Sequence, residues 1–534
     1  MKTTILKYIS IIVFSMVIAG CGEQWLDQPR LETDAPLDGS ASTVAGCDAL
    51  LTGSMASIVH DYVFTGYMQA LGELLGDNVA PTTNMTFSNV LNTYESVYRR
   101  DLFEDTWGIA GRFTQYAGGA VAMSNMVIDA CRKDMLAADQ RFVSQKNRLL
   151  GEALFIRSLV QFQQVRMYNK QWDMNIANNY ERGAILRDTP IYGTEDIPKR
   201  PSSTEEGYKM IIDALEEAAT LLPDYFDSNK HPVNFRSSGN KFAALALLAR
   251  VYFQKNDFDN CLRVVNLCIG NTPGTSTFPL ETDVNALWNR VGYLTTTNSA
   301  TKGEVIFENV QLPPLIRNKT GGTLDGLIIK QLKDVQLKLS NSFKDSANFE
   351  LTDNRFKNWV KVYKSGKNTD DQLQTTFATY AEAKGLDWCV RKYTTSATGV
   401  NVTMMRSAEL MLMRAEINAW KGDVAAAAAD INEIRKKHGG ASVTLMGLAL
   451  SKPAALKEVY QEHIREMFGE GDRGWNLLRL GSLTGGKFKL WKGDRDVTKN
   501  HCYNNIENVE WNSTALRYPW QTSEANKNPL WNEY

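Results

Sequence analysis

The chain has 534 residues, with 59 Lys+Arg against 60 Asp+Glu and a formal net charge of −1. That balance argues against a nucleic-acid binder, which carries a basic surplus to neutralise phosphates. A disordered chain is excluded too, because 43% hydrophobic and 10% aromatic residues at near-zero net charge can bury a large core.

Lys2 and Lys7 precede the apolar run Ile9 to Val17, which has the length of a signal-peptide core and is too short to span a bilayer comfortably. Ile18-Ala19-Gly20-Cys21 then resembles a bacterial lipobox, an aliphatic and two small residues before an acylated Cys. Residues 1–20 are therefore expected to be a lipoprotein signal peptide, with Cys21 as the lipidated (palmitate-bearing) residue. Acyl chains contribute about 0.8 kcal/mol per buried CH₂, so two or more anchor a protein stably. Residues 21–36, polar through Pro36, read as a tether, and 37–534 as one folded domain. Of the six other cysteines none forms a CxxC pair, and five scattered His residues give no support to a zinc site. Cys261 and Cys268, seven apart on one helix face, are expected to be buried free thiols.

Helical periodicity dominates the rest. Gly151 to Tyr168 carries Phe155, Leu159, Phe162 and Val165 on one face. Ser203 to Leu222 has an apolar stripe from Tyr208 to Leu222, a Ser203/Glu206 capping box and Pro223 as a stop. Lys241 to Gln254 turns through Lys255-Asn256-Asp257 into Phe258 to Ile269, and Arg406 to Trp420 turns through Gly422-Asp423 into Val424 to Lys437. Such pairs, within about 151–270 and 406–480, are what tetratricopeptide-type stacking needs. The predicted fold is mostly α, helix pairs forming a scaffold with a loop-rich half at about 270–405. Glu304 to Gln311 suits a short strand, and nothing suggests a large sheet. The segment from Gly481 to Tyr534 reads as loop, with Trp491, Trp511, Trp520 and Trp531.

Several motifs imitate chemistry. Gly469 to Gly474 fits GxGxxG but follows a helix, Ala454 to Phe468, and not the strand a dinucleotide site requires. Gly481 to Lys487 approaches a P-loop, with Phe488 where a magnesium-binding hydroxyl belongs. No GxSxG elbow or HExxH helix is present. His60, His231, His438, His463 and His501 are expected at the surface or at caps, not as general bases.

Taken in order, these stretches resemble the SusD/RagB family of nutrient-binding outer-membrane lipoproteins. The resemblance starts at Trp25-Leu26-Asp27 with Pro29, and continues through Glu152-Ala153-Leu154-Phe155-Ile156-Arg157, Arg200 to Pro223, and Ala246-Leu247-Leu248-Ala249-Arg250-Val251-Tyr252. It then runs through Arg406, Glu409 and Ala415-Glu416, and through Glu462, Arg465-Glu466, Glu470-Gly471 and Arg473-Gly474-Trp475, to Asn528-Pro529 and Tyr534. Asn476 stands near where the family prefers Asp and His463 takes an Arg position, so the local ion pairs are expected to be rewired.

The resemblance implies a tetratricopeptide-like scaffold that captures glycans at the cell surface. It also implies delivery, without catalysis or cofactor, to a SusC-like TonB-dependent transporter in the outer membrane. A peptide ligand of the RagB kind, a surface glycoside hydrolase and a purely structural adaptor are the competing readings. Family ligand contacts vary between members, so physics alone nominates residues: sugar C–H faces stack on rings, and hydroxyls want amide or carboxylate partners. Trp288 and Tyr293 in the Thr/Asn-rich loop, with Asp77 and Asn78 after the first helical stretch, fit that description. Asn84, Phe87 and Tyr94 fit it less well, and Trp288 equally suits an anchor that pins its loop to the scaffold.

Overall fold

The computed structural model describes residues 40–60, 62–64, 66–81, 96–100, 102, 109–197, 199–224, 237–288, 303–310, 337–364, 372–392, 401–486, 509–520, 528 and 530. The signal peptide, Cys21, the tether, Asn84, Phe87, Tyr94 and Tyr293 lie outside them.

The N-terminal part holds α1 (Val44–Ile58), α2 (Tyr67–Leu75), α3 (Ile109–Arg132), α4 (Gln140–Tyr168) and α5 (Thr204–Leu221). The expected capping box is present: Ser203 Oγ accepts from the Glu206 amide at 3.1 Å, and Glu206 Oε2 accepts from the Ser203 amide at 2.9 Å. The next pair, α6 (Lys241–Gln254) and α7 (Phe258–Ile269), has the predicted bounds. So, within a residue, does α11 (Ser407–Lys421), followed by α12 (Val424–Ile434), α13 (Lys452–Met467) and α14 (Arg473–Leu483).

The two polar turns share one design. Asn256 (φ 58°) and Gly422 (φ 87°) take the left-handed conformation, and Asp257 and Asp423 then cap the following helix. The array runs α3 on α4, α4 on α5, α5 on α6, α6 on α7, α7 on α11, and α11 on both α12 and α13. Cys261 and Cys268 are buried free thiols, as are Cys47, Cys131 and Cys389.

Two features differ from expectation. The helix predicted to continue to Lys437 stops at Ile434 and widens into a π turn, Arg435–Gly439, that carries Arg435 and His438 inward. The loop-rich part also holds more strand than the single piece expected. β2 (Val305–Asn309) pairs with β7 (Val402–Arg406). A second sheet, in order β1-β3-β6-β4-β5, joins β1 (Val79–Pro81), β3 (Leu337–Leu339), β4 (Val360–Lys364), β5 (Gln372–Gln374) and β6 (Asp387–Val390). It is antiparallel throughout, with Val79 opposite Leu339 and Trp388 opposite both Leu339 and Val362. Three short helices, α8 (Asn341–Ala347), α9 (Asn354–Trp359) and α10 (Tyr380–Lys384), connect its strands. Strands of three to five residues are too short for a period of two to show in sequence.

Candidate functional site

The densest cluster of titratable side chains lies between α9, β7, the π turn and α13. Arg355 donates to Glu462 (2.6 Å), Glu466 (2.9 Å) and Asp353 (2.8 Å). Arg406 donates to Glu304 (2.8 Å), Glu466 (2.5 Å) and Glu470 (2.7 Å). His438 bridges Glu466 and Glu304, each at 2.9 Å. This corrects the expected surface placement of His438, which is fully buried, and of His463, which is 5% exposed.

Carboxylates on both ring nitrogens hold the imidazole in its doubly protonated form. They outweigh burial and raise the His438 pKa to about 9. Glu304, His438 and Glu466 could converge on a metal ion. Here, though, the two ring protons and the Arg406 guanidinium already satisfy the carboxylates, so a cation would have to displace both. Every carboxylate of the cluster meets a cation, and its residues are buried and mutually engaged: it is scaffold.

At the rewired position His463 Nδ1 lies 3.4 Å from Asn476 Nδ2, and Arg479 instead reaches Asn476 Oδ1 (2.7 Å) and Glu416 (2.7 Å). Burial lowers the His463 pKa to about 4, so a neutral ring and a neutral amide share this site.

The sequence-nominated residues that the structure describes, Trp288, Asp77 and Asn78, take packing roles. Trp288 is fully buried, meeting Trp359 edge to face at 5.7 Å and lying over Lys392 at 4.8 Å and Arg406 at 5.4 Å. That is the loop-anchor role, and it leaves no ring face for a sugar. Asp77 receives Arg473 through both oxygens at 2.6 and 3.1 Å, and Asn78 donates to Glu73 at 2.8 Å. Both are buried, so their polar groups brace the turn and do not meet a ligand from solvent.

That brace positions a different set of rings. Gly72 of α2 lies so close to the turn before α14 that an added Cβ would stand 1.8 Å from the Gly471 carbonyl oxygen. Gly471 (φ 85°) donates its amide to Glu73 at 2.9 Å. Burial raises the Glu73 pKa to about 7, against hydrogen bonds from Asn78 and the glycine amides. The GxGxxG stretch is thus a close-approach turn between α13 and α14 that clamps α2, and not a phosphate loop.

The N-terminal end of α2 carries Tyr67, which meets Tyr62 at 4.6 Å between ring centroids. Tyr62 in turn faces Tyr116 of α3 at 6.4 Å, and His60 stacks on Tyr116 at 3.6 Å and 16°. All four rings are half-buried, their inner faces on the core. Two residues on from Tyr116, and so on a different side of α3, Gly118 has nothing within 4 Å of where a Cβ would stand. A platform of stacked, partly exposed rings suits the C–H face of a sugar. Sequence reading passed over it, although four aromatics or histidines in eight residues, His60 to Tyr67, between two helices was a visible signal.

Comparison with known proteins agrees with this architecture. Residues 332–533 match the family model described as the SusD family, and residues 52–253 match a SusD-like model described as starch-binding associating with outer membrane. No curated protein matches the chain at a significant level. Among solved structures, a SusD superfamily protein from Bacteroides thetaiotaomicron aligns with a TM-score of 0.71 at 18% identity, over 91% of this chain and 98% of that one. A SusD-like carbohydrate binding protein from Bacteroides vulgatus aligns at 0.68 and 16%, over 92% and 97%. A SusD superfamily protein from Bacteroides fragilis aligns at 0.68 and 20%, over 91% and 98%. With two family models matching separate stretches in chain order on a shared helical fold, the chain belongs to the SusD-like family.

Proposed function

We propose that this protein is a surface lipoprotein, anchored through Cys21, that binds glycans without cleaving them and passes them to a SusC-like TonB-dependent transporter. The observation that carries the glycan reading is the platform of His60, Tyr62, Tyr67 and Tyr116. It occurs in a chain with a family model named for starch binding and association with the outer membrane. No helix among the described residues is long and apolar enough to cross a membrane, which is consistent with anchoring through the lipid. The buried carboxylates of the ion cluster are engaged with cations and do not face each other across an open cleft, which supports binding without hydrolysis.

The test is calorimetric titration of the soluble form starting at Gly22 against neutral oligosaccharides and short peptides, with the supernatant assayed for cleavage. Glycan binding that weakens about fivefold in Tyr116→Ala, with the helical circular-dichroism spectrum retained, is the expected result; a stacked ring contributes about 1 kcal/mol. Binding of peptides alone would replace the glycan with a RagB-like peptide ligand, and released product would make the protein a hydrolase.

A further inference from the structure

A second concavity lies elsewhere on the molecule, between α3, α4 and α5, with about 590 Å³ of space. Its lining includes Ile128, Leu154, Met210 and Pro190, with Arg157 and Asn125 among the polar groups. That volume fits one or two sugar rings and lies within the range of small-ligand sites.

The charges around it are arranged unevenly. Each of the five carboxylates in the lining is already answered by a cation: Asp129 by Lys133, Asp188 by Lys199, Glu206 by Arg200, Asp213 by Lys209 and Glu217 by Arg132. Arg157 is 6% exposed and forms no ion pair among the described residues. Its Nη1 donates to Asn125 Oδ1 (3.0 Å) and to the Asp188 carbonyl (3.2 Å), and its Nε is buried with no hydrogen-bond partner. Its Nη2 makes no hydrogen bond among the described residues and is not sealed from solvent. Burial lowers the pKa of the group to about 10, opposed by the charge of Asp188. A buried guanidinium whose neighbouring carboxylates, Asp188 and Glu217, make no direct ion pair with it is costly, and a ligand anion would relieve part of that cost.

We infer that this groove is a second ligand site, which takes a carboxylate-bearing sugar, a hexuronic acid unit of an acidic glycan, with its carboxylate on Arg157. The floor offers one open charged donor, which suits a singly charged group. The walls offer carboxylate oxygens as acceptors for ring hydroxyls. Ile128, Leu154 and Met210 supply the apolar face for the ring.

The test is titration of the soluble form with di- to tetrasaccharides of galacturonic acid and with neutral galactose oligomers of equal length, at low and physiological salt. The expected result is at least tenfold tighter binding of the acidic series, lost in Arg157→Gln and partly kept in Arg157→Lys. Because Arg157→Gln also loosens the Asp188 loop, Met210→Trp, which fills the groove and leaves the guanidinium in place, is the second arm and should abolish the preference. Absence of a preference for the acidic series, or a preference that survives Met210→Trp, overturns the inference. Neutral glycans that still bind in a Tyr116-dependent way would leave the proposed function standing while this site falls. Short peptides that bind the groove only with a free C-terminal carboxylate would overturn the sugar assignment.

Discussion

The two stretches matched by separate family models, residues 52–253 and 332–533, hold themselves together differently. In the first, α3, α4 and α5 pack through apolar faces, and the ion pairs along the groove sit at its rim, as with Lys209 and Asp213, both largely exposed. In the second, Arg355, Arg406, His438, Glu462 and Glu466, joined by Glu304 from just before β2, form a network with almost no exposure. The lesson concerns the motif residues: in the C-terminal stretch they are spent on internal charge compensation. Among the described residues, the rings and the groove proposed to meet a ligand lie in the N-terminal part of the chain, and the rings fall outside the quoted motifs.

The contrast breaks most visibly at Arg406. Arg406→Ala leaves Glu304, Glu466 and Glu470 without their shared cation, and denaturant unfolding should show a loss of about 3–5 kcal/mol. A loss under 1 kcal/mol would mean the network is not what fixes this region.

His438→Gln sharpens the same point through pH. The folded-state pKa, about 9, exceeds the ordinary 6.5, so the proton's contribution is full below pH 6.5 and disappears as pH rises through 9. The stability gap between wild type and variant should therefore narrow by on the order of 3 kcal/mol from pH 6 to pH 10. A gap independent of pH would show that the ring is neutral.

In the N-terminal part the effects should be smaller. Ser203→Ala removes one capping bond of α5 and should cost about 1 kcal/mol by thermal melt; no change would show that packing alone sets the start of that helix. Smallest of all is Gly118→Ala, where the new methyl meets open space and a helical position gains about 0.5 kcal/mol. A melting temperature unchanged or lowered in this variant would show that the methyl does not meet open space.

Much of the scaffold was legible in the sequence, and for a local reason. The spacing of Tyr208, Ile211, Leu215 and Leu222, the Ser203/Glu206 box, and the Asn256-Asp257 and Gly422-Asp423 turns each encode their element within a few residues. The five-stranded sheet was not legible, because β1 meets β3 across more than 250 residues of chain. The site was hardest to read. Trp288 drew notice as an aromatic in a polar loop, but its burial depends on Trp359, Lys392 and Arg406 arriving from elsewhere. Tyr62, Tyr67 and Tyr116 come together only once α2 has been clamped against the turn before α14.

That clamp consists of places where side chains are missing. A single methyl at Gly72 or Gly474 would wedge α2 away from its seat, and Tyr67 would travel with it. The rings themselves can be exchanged without touching the joint. Ligand preference can therefore drift freely at positions 60, 62, 67 and 116, on a mount whose accuracy is set by backbone meeting backbone.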